Sequence, residues 1–453
     1  PRFAINATPF FDADFRYVDE PGADPDLLER MHRIHIGDDW MFATGGEFRF
    51  RYYNEVNSRL TGKDNSYDLT RLRVFGDLWY KDRLRLYVEG IDSQDFNYNK
   101  KLAPLLIDRN YGDLLNAFID LKILDGPDGV PWYVRGGRQE LVLGSQRTVS
   151  CLDWANTLRT FDGVRLFRHG ESLDFDLWWS RPVIPAVQQF DQSDPRQNFV
   201  GAWMEYRPTK TQTLDLYYTY LDNTNVFNFA TKTPAPVGQF PVAPYNVNTL
   251  GYRYAGNAEF NKNILFDFEN ALQFGHSEFA NAGLFAGAST TGLGYNFSQV
   301  PMNPTFWAYF DYASGSNNLK SGQQSTFNQL YPFGHYYFGT IDYIGRQNIL
   351  DWNFHAYLYP TNWLTLNAQL HILSLASATD ALYNAAGQIE RYDPTGKAGR
   401  NVGEELTFVS NFHLTPRQDI LVAYSHLYEN HFLQATGPGR SAETFWLMYN
   451  VRW

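Results

Sequence analysis

The sequence predicts an all-β protein, a transmembrane antiparallel up-and-down β-barrel of about eighteen strands. Three observations carry this. Segments of roughly ten residues alternate apolar and polar side chains with period two. The connections alternate as well, short turns with long polar stretches. The last segment, Phe445 to Trp453, sets Phe445, Leu447, Tyr449, Val451 and Trp453 on one face and Asn450 and Arg452 on the other, and ends on an aromatic residue.

Composition agrees. Aromatic residues make up 17% of the 453 positions, with 30 Tyr, 35 Phe and 12 Trp, yet the mean hydropathy is -0.42. No apolar run is long enough for a membrane-spanning helix. Lipid-facing and lumen-facing residues that alternate cancel in any window average, so a barrel can be aromatic and polar at once. A soluble propeller would show recurring motifs at a period of about 40–50 residues, and none is seen. The single cysteine, Cys151, excludes an internal disulfide and a thiolate zinc cluster. A formal charge of -11 argues against a nucleic-acid partner. The chain begins at Pro1 with neither a basic nor an apolar leader, so the barrel reading requires that a signal peptide has been removed.

In chain order, residues 1–41 are charged and punctuated by proline, with a short helical piece from Asp26 to Arg33 after Pro25. They read as an N-terminal periplasmic segment, and 42–453 as the barrel. In 83–90, Leu84, Leu86, Val88 and Gly90 alternate with Arg83, Arg85, Tyr87 and Glu89. In 173–179, Leu173, Phe175, Leu177 and Trp179 alternate with Asp174 and Asp176. Segments 350–358 and 364–372 alternate in the same way. Gly- and Ala-rich 276–300 alternates least, and a strand is placed there at about 284–297.

Turn-forming residues cluster at Lys81-Asp82, Asp125 to Gly129, His169 to Ser172, Arg207 to Thr211, Asn261 to Asn263, Gln299 to Pro304, Tyr359 to Asn362 and Thr415 to Gln418. Between them lie the longer stretches 57–66, 96–111, 141–160, 181–197, 222–247, 276–283, 314–346, 374–402 and 428–441. An even strand number places both termini on the short-turn side, which in an outer-membrane barrel faces the periplasm.

The polar face carries the candidate chemistry. Its early inward positions hold Arg49 and Arg51, Arg71 and Arg73, Arg83 and Arg85, and then Arg135 and Arg138 around Gly136-Gly137. Arginines at i, i+2 on consecutive strands set guanidinium groups side by side on one wall. Guanidinium stays charged and binds carboxylates through two parallel hydrogen bonds, so such a wall attracts anionic solutes. The alternative is a structural network in which the arginines pair with Glu47, Asp77, Glu89, Asp120, Asp174 and Asp176.

The run Val134-Arg135-Gly136-Gly137-Arg138-Gln139-Glu140-Leu141, then Asp153-Trp154, Asn156 and Arg159, then Phe161-Asp162-Gly163, resembles the alginate-export family of outer-membrane porins. Phe333 to Gly339 and the C-terminal stretch 403–453 resemble it too. The resemblance implies a monomeric barrel of about eighteen strands, an arginine-lined pore gated or occluded by loops, and outward passage of an anionic polysaccharide. The family's pore arginine between Gly and Gln falls on Arg138.

Other chemistry is weakly represented. His32 and His35 have metal-ligand spacing, but Ile34 and Ile36 around His35 read as a short strand, and no metal or cofactor is expected. No phosphate loop or nucleophile elbow is present, and His169, His276 and His371 lack a paired nucleophile, so no enzyme is expected. The expectation is a passive outer-membrane porin for an alginate-like polyuronate or small anions, in contact with lipid and with the barrel-assembly machinery through the Trp453 strand. Two alternatives stay open. One is a general or nutrient-uptake porin for neutral sugars or other small solutes, with Tyr87, Tyr217 and Tyr357 facing inward. The other is a structural barrel plugged by its long loops.

Overall fold

A computed structural model describes residues 9–225, 244–277, 281–318 and 322–453, with the backbone alone of 227–228 and 233–234. The chain closes into an antiparallel barrel of 18 strands. They are β1 Trp40–Ser58, β2 Lys63–Tyr80, β3 Leu84–Phe96, β4 Asn110–Asp125, β5 Pro131–Gln139, β6 Phe161–His169, β7 Leu173–Ile184, β8 Gln197–Thr209 and β9 Gln212–Asn223. They continue with β10 Tyr245–Ala258, β11 Asn261–Ser277, β12 Ala282–Asn296, β13 Thr305–Ala313, β14 Ile349–Thr361, β15 Leu364–Leu375, β16 Asn401–Thr415, β17 Gln418–Glu429 and β18 Ala442–Arg452. Each pairs with its sequence neighbour, and β18 returns to β1 in register from Glu47↔Arg452 to Val56↔Glu443. Closure leaves no open sheet edge to be satisfied by lipid, which cannot hydrogen-bond.

Alternation becomes two faces. On β3, Leu86 and Val88 are 44% and 43% exposed on the outer face, while Arg85, Tyr87 and Glu89 are buried inside. Burial of these inner residues shows that this part of the wall is covered from within. The short turns expected from the sequence fall at junctions between strands, except that Asn261 to Asn263 opens β11 and Glu259-Phe260 makes that connection, and the weakly alternating segment forms β12. Trp40 meets Tyr80 at 4.9 Å and Trp363 meets Phe412 at 6.4 Å between ring centres at the short-turn rim, an aromatic girdle of the kind that marks a membrane interface.

Two kinds of segment enter the barrel. Residues 140–160, between β5 and β6, fold inward: Leu141, Leu143 and Val149 join Trp178, Trp203, Tyr217 and Val247 of the wall in one apolar cluster. Residues 322–348, between β13 and β14, lie against them, with Ser150 N–H donating to Tyr331 O at 2.9 Å and Phe333 N–H to Gln146 O at 2.9 Å.

Residues 9–39 fold on the short-turn rim. Helix α1, Leu27–Arg30, starts at a capping box in which the Asp26 carboxylate accepts the Glu29 N–H at 2.9 Å and Glu29 accepts the Asp26 N–H at 2.8 Å. Arg417 in the turn before β17 donates to Asp26 at 2.6 Å and fixes the helix to the rim. Ile34–Ile36 is a short strand paired with the first residues of β1. Ahead of these, the turn Phe10–Asp12 reaches into the lumen.

Candidate functional site

The arginines expected on one wall fall into two groups of three, a single residue and an outlier. Register explains the crowding: Arg49 lies directly opposite Arg71, and Arg135 opposite Arg165. Like charges set face to face across strands repel, so each pair needs acceptors nearby. The protein supplies them in different ways.

Arg49, Arg51 and Arg71 hold the inward loop. Arg49 donates to Asp153 O at 2.8 Å and to Ala155 O at 2.9 Å. Arg51 donates to Trp154 O at 3.0 Å and stacks its guanidinium on the Trp154 ring at 3.7 Å. Arg71 binds the carbonyls of Asp153 and Ala155 at 3.0 Å each, and the Asp153 carboxylate at 2.7 Å. Burial alone would raise the Asp153 carboxyl. Arg71, Arg49, Arg452 and Arg73 around it overcome that and hold it well below the usual carboxylate range.

Arg73, Arg85 and Arg135 form the second group, nearer the short-turn rim. Arg73 pairs with Glu89 at 2.7 Å and Glu140 at 3.1 Å, Arg85 with Asp77 at 2.7 Å, and Arg135 with Asp120 at 2.7 Å. Over their remaining faces lie the rings of Phe10 and Phe11.

Arg138 stands alone at the end of β5. It grips Asp162 through two nitrogens at 2.8 and 3.1 Å and donates to Asp191 O at 3.0 Å. Its side chain keeps 13% exposure, whereas Arg71 and Arg73 keep none. Arg83 is the outlier. β3 begins at Leu84, so Arg83 ends the turn from Lys81 and is exposed on the rim, apart from the other seven.

All six acids weighed against the arginines are paired with one: Glu47 with Arg71, Asp77 with Arg85, Glu89 with Arg73, Asp120 with Arg135, Asp174 with Arg207 and Asp176 with Arg165. Among the described residues, Arg49 and Arg51 are the members of the wall whose guanidinium groups meet carbonyls and rings rather than a carboxylate.

The far wall is acidic. Asp215, Glu269, Asp311, Asp351 and Glu405 all lie buried on the inner face of β9 to β16. Arg147, carried across the lumen by the inward loop, bonds Asp267 and Glu269 at 3.0 Å each. Arg147 and Tyr331 are positions in this arrangement that sequence reasoning did not single out, whereas Trp154 and Tyr337 entered it only through the family resemblance. The signal was present in Leu141, Leu143, Val149, Cys151, Ala155 and Leu158, too apolar for a loop bathed in water.

Among the described residues no group of His, Cys, Asp and Glu is arranged for a metal ion. The His32 ring stacks on Phe15 at 3.8 Å, and burial pushes its pKa down to about 4. His35 turns instead to Asp19 at 3.1 Å.

The family model for alginate export matches residues 41–446. Among curated proteins none matches the sequence. Among solved structures the chain is similar to Pseudomonas aeruginosa OpdK with vanillate, at 12% identity and a TM-score of 0.60, over 92% of this chain and 99% of that one. It is also similar to Pseudomonas aeruginosa OccD3, or OpdP, at 12% identity and a TM-score of 0.54 over 90% and 91%. Acinetobacter baumannii OccAB2 has 9% identity and a TM-score of 0.55 over 90% and 98%. At these identities the neighbours speak for the barrel alone, while the family model spans almost all of it. The chain belongs to the alginate-export family of outer-membrane β-barrel porins.

Proposed function

We propose that this barrel is a passive, anion-preferring porin, monomeric, with the short-turn rim and residues 9–39 facing the periplasm and the long loops facing outward. Its solute is an anionic saccharide of the polyuronate type or a smaller anion. The observation that carries this reading is the pair Arg49 and Arg51, whose charge is balanced by carbonyl dipoles and a ring, not by a carboxylate. A guanidinium held by dipoles still attracts a carboxylate, and successive weak sites permit both entry and release. The Trp453 strand is the part the barrel-assembly machinery would read.

A second reading has its own support. The rings of Phe10 and Phe11 rest on arginine faces, so this lumen accepts an aromatic ring against guanidinium. A small aromatic carboxylate offers both groups, and OpdK, of similar fold, was solved with vanillate.

The experiment is reversal-potential measurement across a salt gradient in a planar bilayer. Anion preference in the wild type and its loss in the Arg49→Gln/Arg51→Gln variant are expected. A cation preference unchanged by that variant would overturn the proposal. Current block by polyuronate fragments, compared with benzoate-like acids and neutral oligosaccharides, separates the two solute classes.

A further inference from the structure

We infer that the Phe10–Asp12 turn is a removable plug that seals the short-turn end of the lumen. The inference goes beyond anion preference and holds whichever ions the lumen favours.

The turn contributes rings where the rest of the lumen contributes charge. Phe11 is buried, set edge-on against Tyr87 at 5.4 Å and Phe118 at 5.0 Å, and Phe10 packs on Phe75 at 5.4 Å. Tyr87 stacks in turn on Phe118 at 5.0 Å and on Phe75 at 5.6 Å, so the wall provides a matching aromatic floor. Above the rings lie cations: Arg73 is 4.2 Å from the Phe10 ring centre and Arg135 is 4.5 Å from that of Phe11. An aromatic face attracts guanidinium, but it offers no acceptor for its N–H groups. Arg73 Nη1 and Arg135 Nη1 accordingly make no hydrogen bond among the described residues. The rings therefore cap the arginines from the rim side without neutralising them.

The position of the turn separates two different spaces. On its rim side is a cavity of about 700 Å³, lined by Phe10 and Phe11 themselves, by further rings such as Phe15, Trp40 and Trp79, and by charged groups such as Arg33 and Asp39. On its inner side begins the arginine wall, with Arg73 and Arg135. A cluster of apolar rings set between this mouth and the charged interior is a constriction that blocks by excluding water.

Attachment makes the turn removable. It does not pair with any barrel strand: its backbone bonds close on itself, Asp12 N–H to Pro9 O at 3.2 Å and Ala13 N–H to Phe10 O at 3.1 Å. One side chain of the wall holds its backbone, Arg85 Nη2 donating to Phe11 O at 2.8 Å. The tether behind it is fixed at the rim by Arg417 on Asp26 and by the Ile34–Ile36 pairing. Withdrawal of residues 9–12 leaves every barrel ladder intact.

The test is single-channel conductance of the full chain. Phe10→Ala/Phe11→Ala should raise mean conductance several-fold, with the reversal potential unchanged. A conductance equal to wild type in the folded variant would overturn the plug. The second variant, Phe11→Cys/Phe118→Cys, gives up two rings but leaves Phe10 in place and can tether the turn to the wall, and Cys151 is buried. Oxidation should join the pair, lock the channel in its low-conductance state, and be reversed by reductant. An unaltered current once the pair is joined would overturn the inference. A lost anion preference with plug behaviour intact would count against the proposed function alone.

Discussion

Arg452 and Glu47 meet across the strand pair that closes the barrel, with Arg452 Nε donating to Glu47 Oε2 at 2.9 Å, 405 positions apart in sequence. The other oxygen of Glu47 takes Arg71 Nε at 2.7 Å. One buried carboxylate thus ties the last strand, the first and the second. Beside it, the Gly46 and Trp453 backbones exchange hydrogen bonds at 2.9 and 3.0 Å. The seam is closed by charge as well as by backbone.

Glu47→Gln tests that statement. The change keeps the volume but leaves two buried guanidinium groups short of charge. Removing one partner of a buried ion pair costs about 3–5 kcal/mol. The midpoint of urea unfolding in detergent is expected to fall accordingly, and an unchanged midpoint would mean that backbone pairing alone holds the seam.

The fold was readable because its signals are local. A turn such as Lys81-Asp82 or Thr415 to Gln418 is written in residues that favour turns wherever they stand, and each lies between two strands. β12 was the hardest strand for a local reason too. Gly283, Gly287, Gly292 and Gly294 give no side chain to alternate, and the Tyr309 and Trp307 rings of β13 lie over the last two of them. That covering comes from a neighbouring strand. The inward loop was unreadable on the same ground: what holds it is Arg49 on Asp153 and Arg147 on Asp267, each bridging more than a hundred residues. Spacing announced an arginine wall, but not that a loop and the Phe10–Asp12 turn cover most of it.

Gly144 shows how the loop is seated. Its φ of +52° lies in the left-handed region, and the Trp203 indole occupies the place a Cβ would take. Trp203 is itself fixed, donating Nε1 to Asp215 at 3.0 Å and stacking on Tyr217 at 4.2 Å. Gly144→Val combines backbone strain with overpacking, at a cost of about 2–4 kcal/mol. The loop is expected to lift while the barrel stays folded, seen as new protease cleavage within 140–160. Resistance equal to wild type would contradict this seating.

Asp191 gives the loop between β7 and β8 a pH dependence. Burial, with Asp113 alongside, pushes its carboxyl up to about 7 from the ordinary 3.8, against the hydrogen bond from the Ala186 N–H. A proton held more tightly in the folded state makes that state most stable at low pH. Stability should fall as pH rises from about 4 to about 7 and remain low above that. Hydrogen exchange in 185–196, corrected for the intrinsic rate, is expected to be faster at about pH 8 than at about pH 5. Asp191→Asn should abolish the difference, and a difference of the opposite sign would refute the assignment.

Arg138 is the arginine on which ion preference can be tested with least damage to the fold. It is partly exposed, and its contacts with Asp162 and Asp191 O lie at the end of β5, away from the closing seam and the plug. Arg138→Ala removes a positive charge and frees the Asp162 carboxylate to act on the lumen. Both effects favour cations, so the reversal potential should move toward cation preference while unfolding shifts little. Arg138→Lys separates charge from geometry: it keeps the charge but loses the two-nitrogen grip on Asp162, so it should retain most of the anion preference with a noisier current. If alanine and lysine shift the potential equally, Arg138 works by shaping the constriction rather than by its charge. The arginine pair 49 and 51 would then carry the selectivity without it.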